Sequence, residues 1–99
     1  MDELSGSFRA LADPSRRRQL MRLAKGSATS GQLAELLSMS RPAGSQHLAV
    51  LVEASLVHTT ATGRQRWHDL RLERLRSAHA WLGELIEQAE SAAALRSSS

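Results

Sequence analysis

The sequence predicts a mainly α domain of about five helices, with one small β-hairpin set before the last helix. Three observations predict it. Helical spacing of apolar residues recurs in four stretches up to Glu53. Between Leu56 and Leu70 the pattern changes to β-branched and aromatic residues around a glycine. With one Phe and two Trp among 99 residues, the core must be built of Leu and Ala, which suits helix packing better than a sheet. A chain of this length makes one domain, expected over residues 1–95 with 96–99 as a frayed tail. It is too small for a catalytic cleft between lobes.

The first helix is expected over residues 2–12, where Leu4, Phe8, Leu11 and Ala12 recur at helical spacing. Asp2 and Glu3 suit the positive end of its dipole. Asp13 then caps a second helix, with Pro14 in its first turn and Lys25 and Gly26 closing it. Leu20, Met21, Leu23 and Ala24 are its apolar positions. Arg16, Arg17, Arg18 and Arg22 read as a solvated basic face from which one side chain can reach a phosphate or a neighbouring acid. Residues 27–30 read as a polar linker with Thr29 or Ser30 as the next cap. Residues 32–37 form a two-turn helix expected to bury Leu33, Ala34, Leu36 and Leu37.

Ser38-Met39-Ser40 turns into the stretch that organises the rest. Ser40 is a strong cap and Pro42 falls in the first turn, where a missing N–H costs nothing. Leu48, Leu51 and Val52 fall on one face with Val50 beside it, while Arg41, Ser45, Gln46 and His47 supply a polar N-terminal half. Two short helices joined by a tight turn, the second polar at its start, form a helix-turn-helix. Such a second helix suits a DNA major groove.

Residues 56–60 and 65–70 are expected as strands with the turn at Ala61 to Arg64, so that Arg64 and Arg66 decorate the tip. A basic hairpin directly after a helix-turn-helix makes a winged helix, in which the hairpin reaches phosphates or the minor groove. From Arg71 to about Ala94, Leu75, Ala78, Leu82, Leu85, Ile86, Ala89 and Ala93 form a stripe over about six turns, flanked by Trp81. A helix of this length outruns a core ~30 Å across, so its apolar face needs a partner, most simply a second copy.

The formal charge of +3 permits a polyanionic partner without requiring one. Its distribution says more: residues 1–25 carry six Lys/Arg against three acids, whereas from Arg71 onward four Arg meet four Glu. No cysteine is present, which excludes disulfides and thiolate metal sites. With no signal peptide and no apolar run near 20 residues, the expected location is the cytoplasm.

Phe8-Arg9-Ala10-Leu11-Ala12-Asp13-Pro14-Ser15-Arg16-Arg17 resembles the opening motif of the ArsR/SmtB family of small dimeric winged-helix repressors. Ser40-Arg41-Pro42-Ala43-Gly44-Ser45-Gln46-His47-Leu48 resembles that family's recognition helix, and Glu53-Ala54-Ser55-Leu56-Val57 its exit into the wing. The resemblance covers nearly the whole chain. It implies a homodimer, joined through the first and last helices, that binds a palindromic operator in double-stranded DNA and represses transcription. It implies DNA contacts from Ser40, Arg41, Pro42, Ser45, Gln46 and His47 on the helix and from Arg64 and Arg66 on the wing. His47 is expected to hydrogen-bond a phosphate or the preceding turn, without switching on pH. The implied dimer seam takes Leu4, Phe8, Leu75, Ala78, Trp81, Leu82, Leu85, Ile86 and Ala89. Three residues depart from the pattern: Gly44 replaces Val or Ile, Ala49 replaces a common Lys, and Ser55 replaces the turn Gly.

Metal sensing fails position by position. Where arsenic and cadmium sensors carry thiolates, this chain has Thr29 and Gly31. Where zinc sensors place ligands on the last helix, it has His79 with Leu82 three residues on. His68 and Asp69 are adjacent, not spaced by one. A pair drawn from His68, Asp69 or His79 of two subunits is the one zinc arrangement left open, a minor reading given the ligand count a stable site requires. No cofactor is expected, and no particular effector is implied. An enzyme is the weakest reading, since Ser45 and His47 diverge by ~200° on a helix and no glycine-rich phosphate loop occurs. The competing reading is a winged-helix protein-interaction module with weak or no specific DNA binding, which Gly44 and Ala49 keep open.

Overall fold

Side-chain caps set where the first four helices begin. In the computed structural model, which describes residues 2–98, α1 (Glu3–Leu11) starts behind Asp2, whose Oδ1 accepts from the Ser5 N–H at 2.7 Å. α2 (Pro14–Leu23) starts behind Asp13, whose Oδ2 accepts from the Arg16 N–H at 3.0 Å. Those backbone N–H groups are the main reason both carboxyls sit below the ordinary aspartate range. Thr29 opens α3 (Ser30–Leu36) with a reciprocal pair: the Gln32 N–H donates to Thr29 Oγ1 at 3.1 Å, and the Thr29 N–H to Gln32 Oε1 at 2.9 Å. Ser40 caps α4 (Arg41–Glu53) through the Ala43 N–H at 3.2 Å. Each cap contributes ~1 kcal/mol.

α3 and α4 end alike. After α3 the Met39 N–H returns to the Ala34 carbonyl at 3.0 Å, with Ser38 at φ 53°. After α4 the Leu56 N–H returns to the Leu51 carbonyl at 2.9 Å and the Ser55 N–H to the Val52 carbonyl at 2.9 Å, with Ser55 at φ 60°. Both are Schellman stops whose left-handed position, usually glycine, holds a serine.

The small sheet has three strands rather than the two expected. β1 (Ala28–Thr29), β2 (Val57–Thr62) and β3 (Gln65–Leu70) are antiparallel in the order β1-β3-β2. β1 comes from the stretch read as a linker; two residues carry no periodicity, and they become a strand only because Ala28 pairs with His68 and Thr29 with Trp67. The hairpin turn is tighter than expected. Thr62 pairs with Gln65, leaving only Gly63 and Arg64 in the loop, so Ala61 and Thr62 belong to β2. Gly63 at φ 60° suits the first central position of a type II′ turn.

The core is leucine-rich, as the composition requires: Leu20, Leu23, Leu33, Leu48, Leu51 and Leu56 are buried with Ala10, Ala28 and Val57. Two leucine-sized positions depart from expectation. Leu36, expected inside, is 60% exposed, and Met21 is 69% exposed. They line an open groove between α2 and α3 that no further element covers among the described residues. On α4 the buried stripe runs through Gly44, Leu48 and Leu51; Val50 packs beside it, and Val52 lies on the rim.

α5 (Glu73–Ser98) begins two residues later than expected and continues through 96–98, which the sequence suggested would fray. Ser99, the end of that tail, lies outside the described residues. Twenty-six residues make a helix ~39 Å long, and the chain accordingly measures 65 × 24 × 23 Å.

Candidate nucleic-acid interface

α3, the turn at Ser38 to Ser40, and α4 form the helix-turn-helix. Its second helix is held from behind by Gln19, fully buried on α2, whose Nε2 donates to the Gly44 carbonyl at 3.2 Å. With that face turned inward, Ser40, Arg41, Pro42, Ser45 and Gln46 are exposed. Arg41 leans back across the first turn of α3: a β-carbon at Gly31 would stand 2.8 Å from its Nη2. The bare α-carbon of Gly31 is what admits the guanidinium there.

The wing completes the surface. Ser45, Ala49 and Val52, at helical spacing on α4, face Thr59, Arg66 and His68 across a groove of about 360 Å³. Arg64 occupies the turn and is exposed, as is Arg66. One predicted contact departs from its neighbours. His47 is only partly exposed, and its Nδ1 lies 3.4 Å from Arg16 Nη1 and 3.7 Å from Asp13 Oδ2.

His68, weighed above as a metal ligand, is a buried strut. Its Nε2 is 2.7 Å from Ser30 Oγ and its Nδ1 2.9 Å from Thr59 Oγ1, which ties β3 to the start of α3 and to β2. Burial lowers its pKa, with the positive charge of Arg66 adding to the effect and Asp69 opposing it. Asp69 accepts from the Ser27 hydroxyl, and His79 is exposed on α5. Among the described residues no group of three or more His, Asp or Glu gathers as a metal site.

The arginines of α2 are not simply a solvated face. Arg16 donates through Nε to the Ala10 carbonyl at 2.7 Å and through Nη2 to the Arg9 carbonyl at 3.1 Å. Arg17 reaches the Leu11 carbonyl at 2.7 Å, Arg18 the Leu37 carbonyl at 2.8 Å and Arg22 the Gly26 carbonyl at 3.0 Å. The Ala10, Leu11 and Leu37 carbonyls lie at the ends of α1 and α3, where a cation is also favoured by the dipole, and the Arg9 carbonyl accepts from the Ala12 N–H as well. Sequence reasoning missed Gln19 as well. The available signal was an amide four residues before Leu23, on the same helical face.

α1 lies against α5, where Phe8 and Trp81 meet edge to face, with centroids 5.8 Å apart and planes at 67°. That packing corrects one expected seam residue. Ala78 is 3% exposed in the single chain and is therefore already covered; Leu75 likewise packs against the core. Leu4 and Phe8 are half-buried, whereas Trp81, Leu82, Leu85, Ile86 and Ala89 remain exposed.

A helix-turn-helix whose second helix opens onto a basic hairpin, followed by a long protruding helix, defines a winged helix-turn-helix protein. Residues 13–59 match the family of bacterial regulatory proteins described as the arsR family, and the chain belongs to that family. The transcriptional repressor SdpR of Bacillus subtilis is 29% identical over 87 residues, covering 88% of this chain and 97% of that one. The HTH-type transcriptional regulator Rv2034 of Mycobacterium tuberculosis is 47% identical over 64 residues, covering 65% of this chain and 60% of its own length. A crystal structure of an ArsR family transcriptional regulator matches with a TM-score of 0.83 at 38% identity, covering 90% of this chain and 92% of that one.

Proposed function

We propose that this protein is a cytoplasmic, homodimeric transcriptional repressor that binds a palindromic operator. The observation that carries the reading is the groove in which Ser45 of α4 faces Arg66 of the wing. One wall offers the Ser45 hydroxyl, suited to a base edge, and the other offers the Arg66 cation, suited to phosphate. Ser40, Arg41, Pro42, Ser45, Gln46 and the partly exposed His47 are assigned to the major groove, and Arg64 and Arg66 to the backbone or minor groove. The naming of SdpR as a repressor supports the direction of regulation. No described helix is long and apolar enough to cross a membrane.

The dimer is assigned to α1 and α5. In support, Trp81, Leu82, Leu85, Ile86 and Ala89 leave an apolar stripe in solvent along a helix that outruns its own core. Two-fold pairing there would set the two α4 helices ~34 Å apart, one turn of DNA. The assigned role needs no metal or cofactor.

Fluorescence anisotropy of the purified protein with DNA from upstream of its own gene, across a salt series, tests the reading. Binding that survives competitor DNA and falls steeply with salt is expected, because phosphate contacts release counterions. Absence of binding even at low salt would overturn it in favour of a protein-interaction module.

A further inference from the structure

We propose that Arg16 is a positioning residue for operator recognition. It fixes the tautomer of His47, so that the recognition helix offers an N–H donor, not an acceptor, at that position. The inference rests on the DNA-binding reading above, and its geometry lies wholly within the chain.

The Arg16 guanidinium is held on two sides. Nε donates to the Ala10 carbonyl at 2.7 Å and Nη2 to the Arg9 carbonyl at 3.1 Å, both at the end of α1. The remaining arm, Nη1, lies 3.4 Å from Nδ1 of His47 on α4. A guanidinium has five donors and no acceptor, so in this pair Nδ1 must accept. A neutral imidazole that accepts at Nδ1 carries its proton on Nε2. Among the described residues Nε2 has no hydrogen-bond partner, and 27% of the His47 side chain is exposed. The ring therefore has one nitrogen spent on α2 and one N–H unspent.

Asp13 sets the alternative. Its Oδ2 is 3.7 Å from the same Nδ1, so a protonated ring would turn an N–H toward the carboxylate and lose the bond from Arg16. Asp13 is itself anchored by the Arg16 backbone N–H at 3.0 Å. These are the charged groups that face Nδ1, and both come from the α1–α2 corner. An Nε2–H donor selects base-edge acceptors such as guanine O6 or N7 and thymine O4, or a phosphate oxygen. It disfavours the amino groups of adenine and cytosine. The corner that joins α1 to α2 thereby contributes to what α4 recognises, although Arg16 itself is assigned no DNA contact.

Long-range ¹H–¹⁵N correlation of the His47 ring in the free protein, above pH ~8.5 where an ordinary imidazole is neutral, reads the tautomer directly. The wild type is expected to show Nδ1 unprotonated and Nε2 protonated, and Arg16→Lys to show a mixture. Finding Nδ1–H in the wild type overturns the proposal whatever the protein does with DNA. Operator affinity is the second arm, and it keeps the proposal testable if Arg16→Lys fails to fold. His47→Gln, which can place an amide donor near Nε2, is expected to lose about threefold, and His47→Asn about tenfold or more. Equal losses for the two overturn the recognition role. An Nε2–H ring in a wild type that binds no DNA overturns the DNA-binding reading and the recognition role with it, but leaves the tautomer assignment intact.

Discussion

Gln19 Nε2 donates to the carbonyl oxygen of Gly44 at 3.2 Å, joining the buried face of α2 to the second turn of α4. Gln19 is fully buried, and its Oε1 has no hydrogen-bond partner among the described residues. A desolvated amide with one satisfied end is held by the rigidity of the two helices it connects. The same contact explains how a glycine is tolerated in α4: the backbone at Gly44 is the part that α2 grips.

Gly44→Ala should therefore be accommodated. An added β-carbon would meet Met39 Sδ at 3.7 Å and Gln19 Nε2 at 3.9 Å, which are ordinary van der Waals distances. Removing a helix-interior glycine should then stabilise the fold by up to ~1 kcal/mol. Chemical denaturation reads the change, and a destabilised variant would show that the Gln19 contact needs the bare backbone.

Ser55→Gly should also stabilise. Ser55 holds φ 60° at the stop after α4, a conformation that a side chain disfavours by roughly 1 kcal/mol and glycine adopts freely. A rise in melting temperature of a few degrees is expected, offset in part by glycine's greater entropy in the unfolded chain. No rise would mean that the serine at this corner carries no strain.

Acid should weaken the fold through His68. Its pKa is lowered by burial first and by the charge of Arg66 second. The unfolded chain takes up that proton near the ordinary value of 6.5, whereas the folded chain resists until lower pH. Its stabilising effect is thus complete above 6.5 and is lost as pH falls through the folded value. Melting temperatures from about pH 7.5 to about pH 5.5 should decline in the wild type and decline less in His68→Gln, which has no proton to accept. Equal slopes would assign the acid sensitivity elsewhere.

Trp81→Glu tests the assigned seam. Trp81 is 44% exposed, yet it holds Phe8 edge to face across α1 and α5. A carboxylate there should yield monomers in sedimentation and weaken operator binding more than tenfold, because each half-site would then bind alone. A variant that remains dimeric would place the seam farther along α5.

By itself the amino-acid sequence determined what depends on near neighbours. The caps at Asp13, Thr29 and Ser40 are bonds across three residues, so residue type and spacing reveal them. The hairpin around Gly63, the helical period of α5 and the polar N-terminal half of α4 are local in the same sense. The family motifs are strings of such local choices, which is why nearly the whole fold was legible.

What only the tertiary structure decided depends on how rigid helices cross. Two residues became β1 because β3 lay beside them. Leu36 and Met21 stayed in solvent because no element among the described residues covers the α2–α3 groove. Ala78 is buried within its own chain. Nothing local distinguishes Arg16 from Arg17 or Arg18. The crossing of α2 with α1, α3 and α4 brings Arg16 to His47 as well as to the end of α1, and Arg17 and Arg18 to helix ends alone. Such long-range placements arise from summed packing over many residues, and no spacing within one segment encodes them.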